Sequence, residues 1–129
     1  MSSVIQLAYS STLTTNSQMY SRACNQDNYY YEAFQVNVPE SRTYTIWSSS
    51  EIDPYGFIYE IHFDSLNPTE NLISSDNDDG YDSQFKFEIP LYMDTTYILV
   101  VTTFQPKDVG NITINLLGLI NVTVTHISE

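Results

Sequence analysis

Alternation of apolar and polar residues at a period of two is the sequence feature that most limits how this chain can fold. The pattern is clear before Pro39, where Phe34, Val36 and Val38 share one face of an extended segment and polar residues lie between them. Helical apolar periodicity never continues beyond a turn or two, so no helices are expected. The pattern therefore predicts an all-β protein built from half-buried strands.

Turn signals divide the rest of the chain into further strand-like segments. These segments are residues 42–48, 55–61, 84–91, 96–104, 112–117 and 120–127, with turns or loops at 48–51, 64–71 and 105–110. Residues 96–104 are apolar on both faces, which is typical of a central strand. About eight short strands with regular turns predict a single domain, residues 1–129, folded as an antiparallel β-sandwich of the jelly-roll type.

Charge and composition exclude several classes of function. The 129 residues include 16 acidic and 4 basic side chains, so the formal net charge is −12. This charge repels phosphate backbones and anionic membrane surfaces, and we expect no nucleic-acid partner. The sequence shows neither a signal peptide nor a transmembrane segment, so we expect no membrane insertion and interpret it as a mature or excised unit. The single cysteine, Cys24, is either a lone thiol or half of an intermolecular disulfide.

The most acidic stretch of the chain holds Asp76, Asp78, Asp79 and Asp82 within seven residues, between two apolar runs. Carboxylates this close repel one another unless they stay hydrated or share a cation, and calcium favours such clusters of oxygen ligands. One interpretation is therefore a calcium site in a loop of the sandwich, with Asp53 added from a neighbouring loop. The other is a solvated β-turn in which Asp, Asn and Gly serve the backbone conformation.

Two N-glycosylation sequons begin at Asn111 and Asn121. About two are expected by chance in a chain of this composition, so their placement matters more than their number. Asn111 falls at a predicted loop-to-strand junction, and Asn121 falls on the predicted solvent side of the last strand while Val122 is buried. The sequons predict N-linked glycans and an extracellular location.

No arrangement typical of a catalytic site is present. His62, His126 and Cys24 belong to no Ser/His/Asp, zinc-protease or Cys/His pattern, and no spacing singles out a pair of carboxylates. We therefore predict that the protein is not an enzyme.

Aromatic residues offer a separate hypothesis, because rings stack on sugars and acidic groups accept hydrogen bonds from hydroxyls. The candidates for a carbohydrate groove are Tyr29, Tyr30, Tyr31, Tyr55, Tyr59 and Trp47. The alternative is that these side chains pack in the core or across strands, since several of them alternate with core positions.

The N-terminal segment begins with an apolar run that contains Val4, Ile5, Leu7 and Tyr9, followed by Ser/Thr/Asn-rich residues up to Ser17. The second part has the composition of a linker or an edge strand. We predict that residues 1–17 act as an exchanged strand and linker, which pair with a neighbouring copy at an exposed sheet edge. Such head-to-tail contacts do not close and would propagate into a filament. The alternative is an ordinary intramolecular edge strand.

Several short motifs, in order and spacing, resemble a repeat of large secreted or surface proteins of microscopic aquatic animals. They are NYYYEA at 28–33, IDPYGFIY at 52–59, the turn at 76–80, QF at 84–85 and TYILVVTT at 96–103, and the match spans residues 14–114. That repeat is itself similar to the bacterial pre-peptidase C-terminal domains. The resemblance implies an eight-stranded sandwich with an accessory, adhesive or structural role rather than a catalytic one, and some such domains bind calcium.

Two functions are therefore expected from the sequence. The first is an extracellular structural or adhesive module that assembles with copies of itself into a glycosylated fibre or tandem array. The second is a carbohydrate-binding accessory domain with a calcium-stabilised loop. They differ because a fibre module presents a repeated protein contact, whereas a lectin presents an open groove with exposed aromatic rings.

Overall fold

The computed structural model describes residues 4–21, 28–76, 84–119 and 121–127, which form ten β-strands and no α-helix. The strands are β1 (Val4–Leu13), β2 (Gln18–Ser21), β3 (Asn28–Asn37), β4 (Arg42–Ser50), β5 (Pro54–Glu60), β6 (Leu72–Asp76), β7 (Lys86–Leu91), β8 (Tyr97–Thr103), β9 (Gly110–Leu119) and β10 (Thr123–Ile127). Within these ranges no helix is long and apolar enough to span a bilayer.

The strands form two antiparallel sheets that pack together as a sandwich. One sheet has the order β1-β9-β4-β7, and the other has the order β10-β3-β8-β5-β6, with β2 paired to the first half of β3. Without β2 and β10, the orders 1-9-4-7 and 3-8-5-6 are those of an eight-stranded jelly roll. The predicted fold class is therefore confirmed, and the two further strands are short additions to the six-stranded sheet.

Side chains from the facing surfaces of the two sheets form the main core. Phe34, Val36 and Val38 are buried in it, as their alternation predicts. The other sheet contributes buried side chains from β4, β7 and β9, which are Tyr44, Ile46, Phe87, Leu91, Ile112, Ile114 and Leu116. Apolar burial of this extent is the main stabilising contribution to a fold of this size.

A second apolar cluster covers the opposite face of the six-stranded sheet. It is rich in aromatic rings and contains Tyr20, Tyr29, Tyr31, Ala33, Phe57, Tyr59, Phe63, Ile98 and Val100. Phe63 belongs to the loop after β5, and its ring lies 5.5 Å from that of Tyr20 and 5.4 Å from that of Tyr31, edge to face in both pairs. Every residue of β8 is buried because both faces of this sheet are covered, which confirms the prediction of a central strand.

Strand β5 ends earlier than the alternation predicts. Ile61 has a φ of 77° and is 66% exposed, so it does not continue the row formed by Phe57 and Tyr59. A β-branched residue rarely adopts positive φ, and here the Ile61 N–H donates to the Thr96 carbonyl at 2.7 Å. The prediction that this strand includes residue 61 is therefore wrong, and His62 lies in the loop that follows.

The ends of two other strands also differ from their predictions. The sequence predicts a turn at 48–51, but β4 continues to Ser50 because residues 48–50 pair with β9. The hydroxyls of Ser48 and Ser50 also both donate to Gln84 Oε1, at 2.9 and 3.0 Å. The last strand begins at Thr123 rather than at 120. Val122 N–H donates to the Leu119 carbonyl at 3.0 Å, which makes a turn there.

Candidate functional site

Strand β1 pairs with β9 of the same chain over its whole length. The antiparallel register runs from Val4 opposite Leu119 to Leu13 opposite Gly110. The segment 10–13, predicted as linker or edge strand, is therefore strand. Within this single chain, the predicted assembly residues lie in an intramolecular edge strand of the four-stranded sheet. Their pairing with a second copy stays a prediction.

Burial along the inward face of β1 increases towards its C-terminal end. Ile5, Leu7 and Tyr9 are half-buried, whereas Leu13 is 1% exposed. Leu7 and Tyr9 contact the main core from its margin. The Ser11 hydroxyl is buried at an inward position and has no hydrogen-bond partner among the described residues, which is unfavourable for the folded state. The first half of β1 is therefore only partly covered by the rest of the domain.

A short turn connects β1 to β2. Ser17 N–H donates to the Thr14 carbonyl at 3.0 Å, Thr14 N–H donates to Ser17 Oγ at 3.0 Å, and Asn16 N–H donates to Thr14 Oγ1 at 3.1 Å. These bonds are local and exposed, and each connects residues within the turn. Opening the turn would therefore break few contacts with the rest of the domain.

The structure describes two of the five predicted calcium ligands. Asp53 lies three residues before Gly56, and Gly56 pairs with Asp76, so both carboxylates are at the same end of β5 and β6. Asp76 Oδ2 accepts a hydrogen bond from the Lys86 N–H at 2.8 Å, which joins the two ends of the acidic stretch. Asp78, Asp79 and Asp82 lie outside the described residues, as does Cys24.

Within the described ranges, no three His, Cys, Asp or Glu side chains come together as metal ligands do. Asp53 and Asp76 are suitable calcium ligands by chemistry and lie at one end of the sheet. They supply only part of the six to eight oxygen ligands that calcium takes. The other donors would have to come from the acidic stretch itself. The calcium site therefore stays a prediction.

A buried hydrogen-bond network that the sequence pattern does not predict fixes the end of the acidic stretch. Gln84 is 7% exposed; its Oε1 accepts from Ser48 and Ser50, and its Nε2 donates to the carbonyls of Ser50 and Ile52 at 3.3 and 3.4 Å. Ser48 Oγ in turn accepts from the Phe85 N–H at 3.0 Å. The only sequence feature that could have indicated this network is the polar residue next to Phe85. Its burial depends on the packing of β4 against β7, which the sequence pattern does not contain.

Both sequon asparagines are exposed. Asn111 lies on β9, where its Oδ1 accepts a hydrogen bond from Thr12 Oγ1 at 2.9 Å. Asn121 lies in the turn before β10 and not on a strand face, although Val122 is buried as expected. The side-chain amides of both residues are therefore accessible, and glycosylation of both stays a prediction.

Most of the proposed sugar-binding tyrosines are inaccessible. Tyr29, Tyr31 and Tyr59 are at most 2% exposed, within the second cluster. Tyr30 packs against the main core, and Tyr55 stacks on Phe57 with ring centroids 4.5 Å apart. For these tyrosines, the structure supports packing rather than a carbohydrate groove.

The two histidines lie on different elements. His62 contacts Asn71 in the exposed loop after β5, with ring nitrogens 3.4 and 3.5 Å from the amide nitrogen. His126 Nε2 lies 3.0 Å from Glu32 Oε1, between β10 and β3. The absence of enzymatic activity stays a prediction.

The candidate functional site is therefore the sheet edge formed by β1 on β9, together with the exposed Asn111 opposite Thr12. Comparison of the sequence with protein-family models and with curated proteins gives no match for this chain.

Proposed function

We propose that this chain is an extracellular structural or adhesive module that carries N-linked glycans and assembles head-to-tail by exchanging β1 between copies. In the assembled form, β1 of one copy lies on β9 of the next in the register that it has within one chain. Each copy then donates one strand and accepts one, so the contact repeats without closing and a fibre or tandem array results.

The observation that supports this proposal most is the position of β1. It is an edge strand, and its only strand partner within the described ranges is β9. Its ladder can therefore form again on another copy without loss of a hydrogen bond. The short turn at Thr14–Ser17 is the hinge that would open, and short hinges favour exchange between copies.

The partial burial of the first half of β1 also supports exchange. Because Ile5, Leu7 and Tyr9 are only half-buried, release of this segment exposes less new apolar surface than release of a central strand would. Asn111 and Asn121 are exposed, so glycans on them are compatible with a folded domain. A secreted, glycosylated protein is the expected context for both features.

A pair of cysteines across the β1–β9 ladder tests exchange. Ser10 lies opposite Thr113, so Ser10→Cys with Thr113→Cys, in a Cys24→Ser background, allows a disulfide between the two strands. If β1 is exchanged, oxidation at high protein concentration joins different chains. We then expect a ladder of covalent dimers, trimers and longer species on a non-reducing gel. A single band of monomer, faster than the reduced protein, would overturn the proposal.

The matched control places the same cysteines on strands that are not exchanged. Thr45 lies opposite Glu88 in the β4–β7 ladder, so Thr45→Cys with Glu88→Cys, again with Cys24→Ser, is expected to remain a covalent monomer. Equal ladders from both variants would show surface cross-linking and would also contradict exchange.

A further inference from the structure

Strand β1 leaves one long backbone edge without a partner. Beyond its ladder with β9, the backbone of Val4–Leu13 makes no hydrogen bond to any other described residue. The strand contains no charged residue, no proline and no glycine, and the first charged residue of the chain is Arg22. In a protein of net charge −12, a ten-residue edge with none of these features is unusual.

The other outer strands either carry features that normally prevent strand addition or are short, since β2 and β10 have only four and five residues. Strand β7, at the opposite edge of the same sheet, has Lys86, Glu88 and Pro90. Proline cannot donate a ladder hydrogen bond, and charges on an edge oppose pairing. Strand β6 has five residues, ends at Asp76 and has a register shift opposite Ile58 and Tyr59. Strand β1 is therefore the long edge that lacks protection.

We infer that the free edge of β1 pairs with the free edge of β1 in a second copy of this chain. The pairing is antiparallel about a two-fold axis perpendicular to the sheet, so two four-stranded sheets become one of eight strands. Such a contact is the same on both sides and closes as a dimer. The partner strand also covers Ile5, Leu7 and Tyr9, whose partial exposure at the sheet margin then has a physical reason.

This contact does not rest on the proposed exchange. The free edge of β1 is the same whether β1 lies on β9 of its own chain or on β9 of another. If exchange builds filaments, the edge contact joins them side by side. If exchange does not occur, it joins two monomers.

Lysines on the outward face of β1 test the edge contact. Gln6, Ala8 and Ser10 are exposed and point away from the core, so their replacement by lysine leaves the inward packing of β1 unchanged. In the dimer, outward residues lie opposite outward residues of the partner strand, where like charges repel. With the monomer fraction from size-exclusion chromatography, before exchange builds filaments, we expect sedimentation velocity to show a reversible dimer for the wild type. The dimer dissociation constant should be about tenfold higher for the triple lysine variant.

The control carries three lysines on the same sheet face away from the edge. Thr43→Lys, Thr45→Lys and Ser49→Lys lie on β4, two strands from the edge, and also change the net charge from −12 to −9. This variant should dimerise like the wild type, and both variants should melt cooperatively. A wild type that is monomeric at every concentration would overturn the inference. So would an edge variant that dimerises as tightly as the control.

The disulfide variant separates the two assemblies. Oxidised monomers of Ser10→Cys with Thr113→Cys hold β1 on its own β9, so they cannot exchange, but they keep the free edge. We expect these monomers to dimerise without covalent links. A strictly monomeric oxidised protein, with a ladder in the gel experiment, would leave exchange standing and reject the edge contact.

Discussion

Gly56 shows how a single residue determines the spacing of the two sheets. It lies on the inward face of β5, where the Cβ of an alanine would be 2.9 Å from Cε2 of Phe87 and 3.0 Å from the Phe85 ring. Real side-chain carbons do not approach this closely, so one of the rings would have to move. Phe87 lies on β7 of the opposite sheet, and Phe85 immediately precedes that strand. The absence of a side chain at Gly56 therefore permits these rings to pack closely against β5.

Gly56→Ala should therefore lower the free energy of unfolding. Overpacking of a dense core typically costs about 1–3 kcal/mol, and both contacting groups are buried aromatic rings that cannot move into solvent. Urea denaturation followed by fluorescence measures the change. Ser75→Ala, on the exposed face of the neighbouring strand β6, should change the stability little. Equal stability of Gly56→Ala and the wild type would show that the rings adjust without strain.

At the scale of elements, the loop between β5 and β6 acts as a cover for the second cluster. Phe63 is buried among aromatic rings, and the Tyr59 hydroxyl donates to the Pro68 carbonyl at 2.6 Å. At the start of the loop, hydrogen bonds from the Asn67 side chain and the Leu66 N–H lower the pKa of Asp64. The loop is thus fixed near its start by the Phe63 side chain and further along by the hydrogen bond from Tyr59 to the Pro68 carbonyl.

The acidic stretch between β6 and β7 connects the two sheets. Its ends are fixed by the hydrogen bond from Lys86 to Asp76 and by the network around Gln84. The stretch has Asp76, Asp78, Asp79 and Asp82 within seven residues of sequence, and carboxylates this close repel one another unless they are hydrated or share a cation. A cation that binds only the folded state would relieve this repulsion and stabilise the protein.

Calcium is therefore predicted to raise the melting temperature. At a calcium concentration about a hundred times the dissociation constant, the added stability is about 2.7 kcal/mol. Scanning calorimetry in calcium and in chelator, at equal ionic strength, measures the difference. Asp78→Ala should lose the shift, whereas Glu70→Ala, which removes one negative charge from an exposed loop, should keep it. Identical melting temperatures with and without calcium would show that the stretch is a solvated turn.

At the scale of the whole molecule, β1 can be separated from the rest of the fold. The remaining strands keep both sheets and most of the main core, because β1 contributes mainly half-buried side chains at the margin. The same reasoning underlies exchange and edge pairing, since both require β1 to act as a unit with a defined face and a defined register.

Deletion of residues 1–10 should give a dispersed, folded monomer that melts at a lower temperature than the full chain. A synthetic peptide of residues 1–13 should bind β9 in its place and, by mass action, raise the melting temperature with the logarithm of its concentration above the dissociation constant. A peptide with Leu7→Asp, on the inward face, should fail to bind, whereas one with Ala8→Lys should bind. Loss of folding that the peptide does not restore would contradict this separation.

The sequence by itself determined the class of structure and the faces of most strands. Phe34, Val36 and Val38 are inside because period-two alternation acts within a strand and needs no knowledge of its neighbours. Strand β8 is buried on both faces because its sequence is apolar on both faces. Both sequon asparagines are exposed, but Asn121 lies in a turn and not on the strand face that alternation predicts. The alternation of residues does not predict which element covers a given strand face, because that depends on residues far apart in the chain.

Only the tertiary structure decided the role of the tyrosines, the ends of β4 and β5, and the partner of β1. Tyr31 and Tyr59 look like surface candidates until the loop containing Phe63 covers them. Ile61 leaves its strand because the backbone there bonds to Thr96, 35 residues further along the chain. These outcomes depend on long-range hydrogen bonds and on sheet-to-loop packing, which a local pattern of residues does not contain.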